Sequence, residues 1–226
     1  MRSCCVSIGC AAVLTVLAHL AGGQAASDPR TAHDLEQRDG RIADPAIVGC
    51  AQHIENRIAS ACNARPVEIR ITRSSEQYAS LMADRVLYVS AGLLQRVENE
   101  GELAGLLAHE LAHIQAGTDT LRERCVLQSK LAPPGSEDAR ERELQATESA
   151  TGYLRIAGYD PAAVLDLLSK LAYEHPSWAK AIVSDDLLEL RVKIESDPIP
   201  PGGYRIGSSE FAGARALLET ALSKKR

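Results

Sequence analysis

Aromatic residues are scarce in this chain: one Phe, one Trp and six Tyr among 226 residues. Its core must therefore be built from Leu, Ile, Val and Ala. The basic residues form no stripe and no aromatic-interleaved patch, and the formal net charge is −5. That excludes the electrostatic footprint of a nucleic-acid-binding protein. After residue 20 no apolar run approaches the ~20 residues that span a bilayer. No internal repeat and no second domain are visible. What is present, 45% hydrophobic and 24% charged residues, fits one globular domain with a real core.

The first stretch, "MRSCCVSIGCAAVLTVLAHLAGGQAAS", has one basic residue, Arg2, then an apolar run from Val6 to Leu20, then small residues. It reads as a secretory signal peptide over 1–26, cleaved near Ala25 or Ala26. The run is too short for an uncleaved anchor, so no membrane span is expected after cleavage. Export to a periplasmic or envelope compartment follows. Cys4, Cys5 and Cys10 leave with the leader, and Cys50, Cys62 and Cys125 remain. Three is odd, so at most one disulfide forms. If 46–61 is one helix, Cys50 and Cys62 stand ~18 Å apart at ~1.5 Å per residue. That separation is too large for a bridge, and either could pair only with Cys125.

Residues 27–44 are polar and read as a flexible lead-in to a domain over 45–226. Ile47, Val48, Ala51, Ile54, Ile58 and Ala61 have helical spacing. Val67, Ile69 and Ile71 alternate with polar residues, which predicts a half-buried strand. "RVLYVS" at 85–90 predicts a second strand, with a short edge strand between them in "SSEQYASLMAD". From Glu100 the period is helical again, with Leu103, Leu106, Leu107, Leu111 and Ile114 near one side and Gly117 as a stop. Residues 118–130 read as further helix, and "APPGS" at 132–136 as a break. A long helix over 137–157 ends at Gly158. Asp160 and Pro161 then restart the chain as N-cap and first helical residue. "EHPSW" at 174–178 is a break, and helices over 184–196 and 208–223 complete the chain. The class is α+β, mainly helical, with a small sheet beside the helix that starts at Glu100.

That helix contains "HELAH", residues 109–113. His109 and His113 are four apart, so their imidazoles point the same way and can grip one metal ion. Glu110 flanks the ion rather than ligating it. Zinc lowers the pKa of a bound water towards ~7, and Glu110 can take that proton and pass it to a leaving amine. This is the content of H-E-x-x-H. A five-residue match also arises by chance, so the rest of the chain has to supply a third ligand. No histidine follows at the spacing H-x-x-G-x-x-H, so an acid on another helix is needed. Candidates are Glu137, Asp138, Glu141, Glu143 and Glu148. Thr147 and Ala150 share a face with Glu143, with Leu154 further along, which gives that face a small-residue, buried character. Glu141 and Arg142 read as solvated charges.

Two segments extend the motif: "RVLYVSAGLLQRVENEGELAGLLAHELAHI", 85–114, and "ERELQATESATGYLRIAGYDP", 141–161. With the "HP" at 175–176 they make the chain resemble the gluzincin metallopeptidase family of the HtpX heat-shock protease and the CAAX prenyl endopeptidases. It is most similar to the soluble, exported, single-domain members. The resemblance implies a zincin-type domain and one Zn2+ per chain. Its ligands would be His109, His113 and Glu143, with Glu110 as base. Family members place an Asp four residues after the ligand Glu to orient a zinc histidine. Thr147 stands there instead, uncharged but able to hydrogen-bond. Glu148, next door, points about 100° further round.

His175 corresponds to a family histidine near the zinc, suited to stabilising an oxyanion or occupying the open metal position at rest. Peptidases of this shape take substrate as an added strand on a sheet edge. The corresponding stretch here is "YASLMADR", 78–85, without the family's Asn and glycines, and 118–136 could fold over the mouth as a lid. His33 and His53 read as structural or exposed, and Trp178 as packing.

The expected function is a zinc metalloendopeptidase acting on exported or misfolded envelope proteins, with proteins or peptides as partners. The competing reading is a weak or inactive relative that binds other proteins in a chaperone-like way. Thr147 and the altered edge segment favour that second reading, and the intact Glu110 opposes it.

Overall fold

The structure, a computed structural model, describes residues 32–82, 85–116, 137–175 and 182–223. The leader, residues 118–136, Pro176, Trp178 and Cys125 lie outside the described residues. The helices are α1 (Ala32–Asp39), α2 (Pro45–Ala61), α3 (Ala91–Leu94), α4 (Glu100–Ala116), α5 (Glu137–Ala157), α6 (Ala162–Glu174), α7 (Ser184–Glu195) and α8 (Ser209–Ser223). The strands are β1 (Arg41–Ile42), β2 (Glu68–Thr72), β3 (Ala79–Met82) and β4 (Val86–Ser90). The chain is mainly helical with one small sheet, the α+β class read from the sequence.

α2 starts where its chemistry dictates. Asp44 accepts hydrogen bonds from the backbone N–H groups of Ala46 and Ile47 at 2.9 and 3.3 Å, and Pro45 needs no N–H of its own. Cys50 lies buried on this helix and Cys62 just past its end, and both are free thiols. The sheet order is β1-β2-β4-β3, with β2 parallel to β4 and the outer pairs antiparallel. β4 is buried along all five residues, as a central strand should be. β1 covers only Ile71 and Thr72 of β2. α2 satisfies the rest of that edge. Gln52 donates to Val67 C=O at 2.8 Å and accepts from Ile69 N–H at 2.9 Å, while Glu55 accepts from Val67 N–H at 3.0 Å. On the other side β3 pairs with β4 and is the last strand of the sheet among the described residues.

Residues 32–42, part of the stretch expected to be a flexible lead-in, instead form α1 and β1. Leu35 buries against Tyr78, Met82, Val86 and Tyr88 on the outer face of the sheet. Glu36 accepts from Tyr88 Oη at 2.6 Å and pairs with Arg70 at 3.0 Å. Tyr78 Oη donates to Asp39. A short polar helix is held here by specific partners.

α4 departs from its expected one-sided burial. Every residue from Glu100 to His113 is buried, because α2, α5 and α6 all pack on it. Gly105 permits this: a Cβ there would meet Val164 Cα of α6 at 2.8 Å. α5 ends at Gly158, whose φ of +84° is the left-handed stop that glycine adopts without strain. Tyr159, fully buried, turns back and donates to Glu100 Oε1 at 3.0 Å, tying this corner to the first residue of α4. Asp160 accepts from Ala162 N–H at 2.9 Å, and α6 begins at Ala162, one residue later than the sequence suggests.

Candidate metal centre

The site lies where α4 meets α5. α4 supplies His109, Glu110 and His113, all buried. α5 turns Glu143, Ala146, Thr147, Ala150 and Leu154 towards α4, and all five are buried. Their three- and four-residue spacing is one helical face. Its small members let the two helices approach, so Glu143 reaches across to the histidines.

The three donor atoms converge. His109 Nε2 lies 3.2 Å from Glu143 Oε2, His113 Nε2 lies 3.4 Å from the same oxygen, and the two Nε2 atoms are 3.1 Å apart. The rings meet edge to face at 83°. Atoms about 2.05 Å from a common tetrahedral centre stand roughly 3.3 Å apart. The observed spacings match that geometry, and two imidazoles with one carboxylate are a donor set suited to zinc. Three protein donors leave a fourth position open. Among the described residues this is the one group of three His, Cys, Asp or Glu side chains able to hold a metal ion.

The electrostatics agree. Burial opposes ionisation of the Glu143 carboxyl, but hydrogen bonds from His109 and His113 and their charges outweigh it and hold the group far below the ordinary carboxylate range. Burial pushes His109 down, towards the neutral imidazole that a metal needs. Thr147, also buried, donates its hydroxyl to Glu143 C=O at 2.7 Å, and its oxygen lies 3.5 Å from His109 Nδ1.

The other acids on α5 take no part. Glu141 is exposed and accepts from Gln145. Glu148 pairs with Lys193 of α7, so it does not stand in for the missing carboxylate. The side chains of Glu137 and Asp138 lie outside the described residues. His175 ends α6, where its N–H donates to Leu171 C=O at 2.9 Å, and it is not one of the three convergent residues. Its neighbour Glu174 pairs with Arg96 at 3.0 Å, which fixes the end of α6 beside the segment after α3. His53 pairs with Glu210 on the surface, and His33 with Gln37. The Tyr159–Glu100 bond that steadies α4 escaped sequence reading, because "GYDP" signals a turn and says nothing of the tyrosine's partner.

The donor set is one that a metallopeptidase-type site uses. Residues 51–134 match the model of Peptidase family M48, the zinc-dependent family of the HtpX and CAAX prenyl proteases that the sequence resembles. The match carries His109, Glu110 and His113 and stops short of Glu143, which the fold supplies from α5. No curated protein matches the chain.

Proposed function

We propose that the protein is a zinc-dependent endopeptidase that cleaves exported or misfolded envelope proteins, holding one Zn2+ on His109, His113 and Glu143. The convergence of their three donor atoms at tetrahedral spacing carries this reading. When bound, zinc supplies Lewis-acid polarisation of the scissile carbonyl and acidifies water. Glu110 is the general base that takes a proton from the attacking water and delivers it to the leaving amine. Its complete burial keeps bulk solvent from competing for that proton. His175, at the end of α6, is assigned to the oxyanion. The outer edge of the sheet at β3 receives the substrate main chain as an added strand, a role that needs backbone rather than the absent Asn and glycines. Export is supported by the basic start and apolar run of the leader. No helix among the described residues is long and apolar enough to cross a membrane.

The test measures zinc content and degradation of an unfolded protein, for the wild type and for Glu110→Gln. One zinc per chain in both, with activity lost in the variant by about 10²–10⁴-fold, is the expected result. Zinc without activity in either, persisting when His175 is changed to Ala, would instead establish the inactive, binding-module reading that Thr147 favours. No zinc in the wild type would sink both.

A further inference from the structure

Between the start of α4 and the first turns of α8 lies an open groove of about 700 Å³. Its walls are largely apolar, from Phe211, Ala212 and Ala216 of α8 and from Ile206 before it, which is 85% exposed. Three carboxylates, Glu98, Glu100 and Glu219, line it against one guanidinium, Arg215. Two of these acids have cations. Glu98 pairs with Lys170 at 3.2 Å, a lysine that Glu102 shares at 2.9 Å, and Glu219 pairs with Arg215 at 3.5 Å. Glu100 has no cation among the described residues. It is 4% exposed, its Oε1 takes the Tyr159 hydroxyl at 3.0 Å, and its Oε2 is buried with no hydrogen-bond partner among the described residues. Burial and the Glu100 charge hold Tyr159 protonated, so it gives a hydrogen bond and no charge. Arg57 and Arg205 act on Tyr159 from nearby, but neither bonds Oε2. A buried carboxylate without a counter-ion is unfavourable, and a bound cation relieves it. An anion is the wrong partner here. The first turns of α4 and α8 line the groove, but their own caps occupy them: Asn99 accepts from Glu102 N–H at 2.9 Å, and Ser208 from Phe211 N–H at 3.1 Å.

We infer that this groove is a docking site for a polypeptide segment carrying a lysine or arginine among apolar residues, with the cation over Glu100 and its methylene stem along the α8 wall. Long basic side chains suit such a place, since their stems bury against apolar surface while the charged head keeps a polar partner. The inference does not rest on the zinc reading. Glu100 opens α4, and His109 follows roughly 14 Å further along it, at about 1.5 Å per residue.

The probe is an acetylated, amidated peptide, Leu-Ala-Lys-Ala-Leu, and its control has norleucine in place of lysine. Each is titrated into the 15N-labelled full chain carrying Glu110→Gln, so that the peptide is not cut. The lysine peptide should shift the amide signals of Asn99, Gly207 and Ser209 and bind at least about tenfold more tightly than the control. Glu100→Gln keeps an oxygen for Tyr159 and removes the charge. It should weaken the lysine peptide about tenfold and leave the norleucine peptide unchanged, a split that a merely structural role would not give. If that variant does not fold, Ala216→Lys sets a competing cation on the exposed wall and should weaken the lysine peptide as much, while Ala216→Gln stays within about threefold. No shift at these amides, equal binding of both peptides, or lysine-peptide binding indifferent to Glu100→Gln and Ala216→Lys would each overturn the inference. Butylammonium binding as tightly as the peptide would mark a site for bare amines and overturn the polypeptide assignment.

Discussion

His109 and His113 are legible in the sequence because helical periodicity alone aligns residues four apart. Glu143 is harder to read. Several acids crowd the start of α5, and only the small, buried face formed by Ala146, Thr147 and Ala150 singles it out. Replacing Glu143 with Ala leaves two imidazoles and no anionic donor, and zinc content should fall from one per chain to below about a tenth, read by elemental analysis. Full retention would refute the assignment.

Glu55 was not legible as a special residue, since its place on an amphipathic helix does not reveal that it faces β2. Burial raises its carboxyl to about 7, against the Val67 N–H bond that lowers it. Its Oε2 is buried with no hydrogen-bond partner among the described residues. The folded state therefore favours the protonated acid. Stability falls as pH rises from the unfolded value of 4.5 towards about 7 and is level above that. Glu55→Gln keeps an acceptor for Val67 N–H and removes the charge. It should raise the melting temperature by a few degrees at pH 8 and by little at pH 4, since 1 kcal/mol moves it about 2–4 °C in a chain of this size. An equal rise at both pH values would count against the buried carboxylate.

Most helices and strands could be placed from periodicity, caps and breakers, because each has its own local signal. α2 has Asp44 and Pro45, and α5 has Gly158. α1 is absent from the local pattern, and α4 is where expected but buried more widely than its leucines indicate, each for a physical reason. α1 has a single buried residue, Leu35, and is held by ion pairs and tyrosine hydroxyls from β2 and β4 that lie some thirty to fifty residues away. No local pattern records such partners. In α4 the leucines mark one side, while Gly101, Ala104, Gly105, Ala108 and Ala112 give no strong apolar signal, yet they are the residues that admit neighbouring helices. Gly105→Ala tests that packing. Its new methyl would strike the α6 backbone at Val164, which cannot swing aside as a side chain can. A loss of about 1–3 kcal/mol is expected, visible as a lowered denaturation midpoint with an unchanged slope.

Taken as one molecule, the fold joins a small sheet and a ring of helices around α4, and the donor atoms sit inside that core. Any ion held by the native donors and not by the unfolded chain adds to folding stability by mass action. Chelation should therefore lower the melting temperature, and zinc at about 1,000 times its dissociation constant should restore roughly 4 kcal/mol. A melting temperature indifferent to chelator and zinc would show that the three donors do not grip the ion. From Glu100 to His113, α4 is buried on every side. The helix that presents the histidines is also the one on which α2, α5 and α6 pack, so it cannot shift without disturbing all three. The spacing of His109, His113 and Glu143 is thus tied to the integrity of the core, and a mutation that loosens α4 against any of its neighbours should weaken the metal centre as well as the fold.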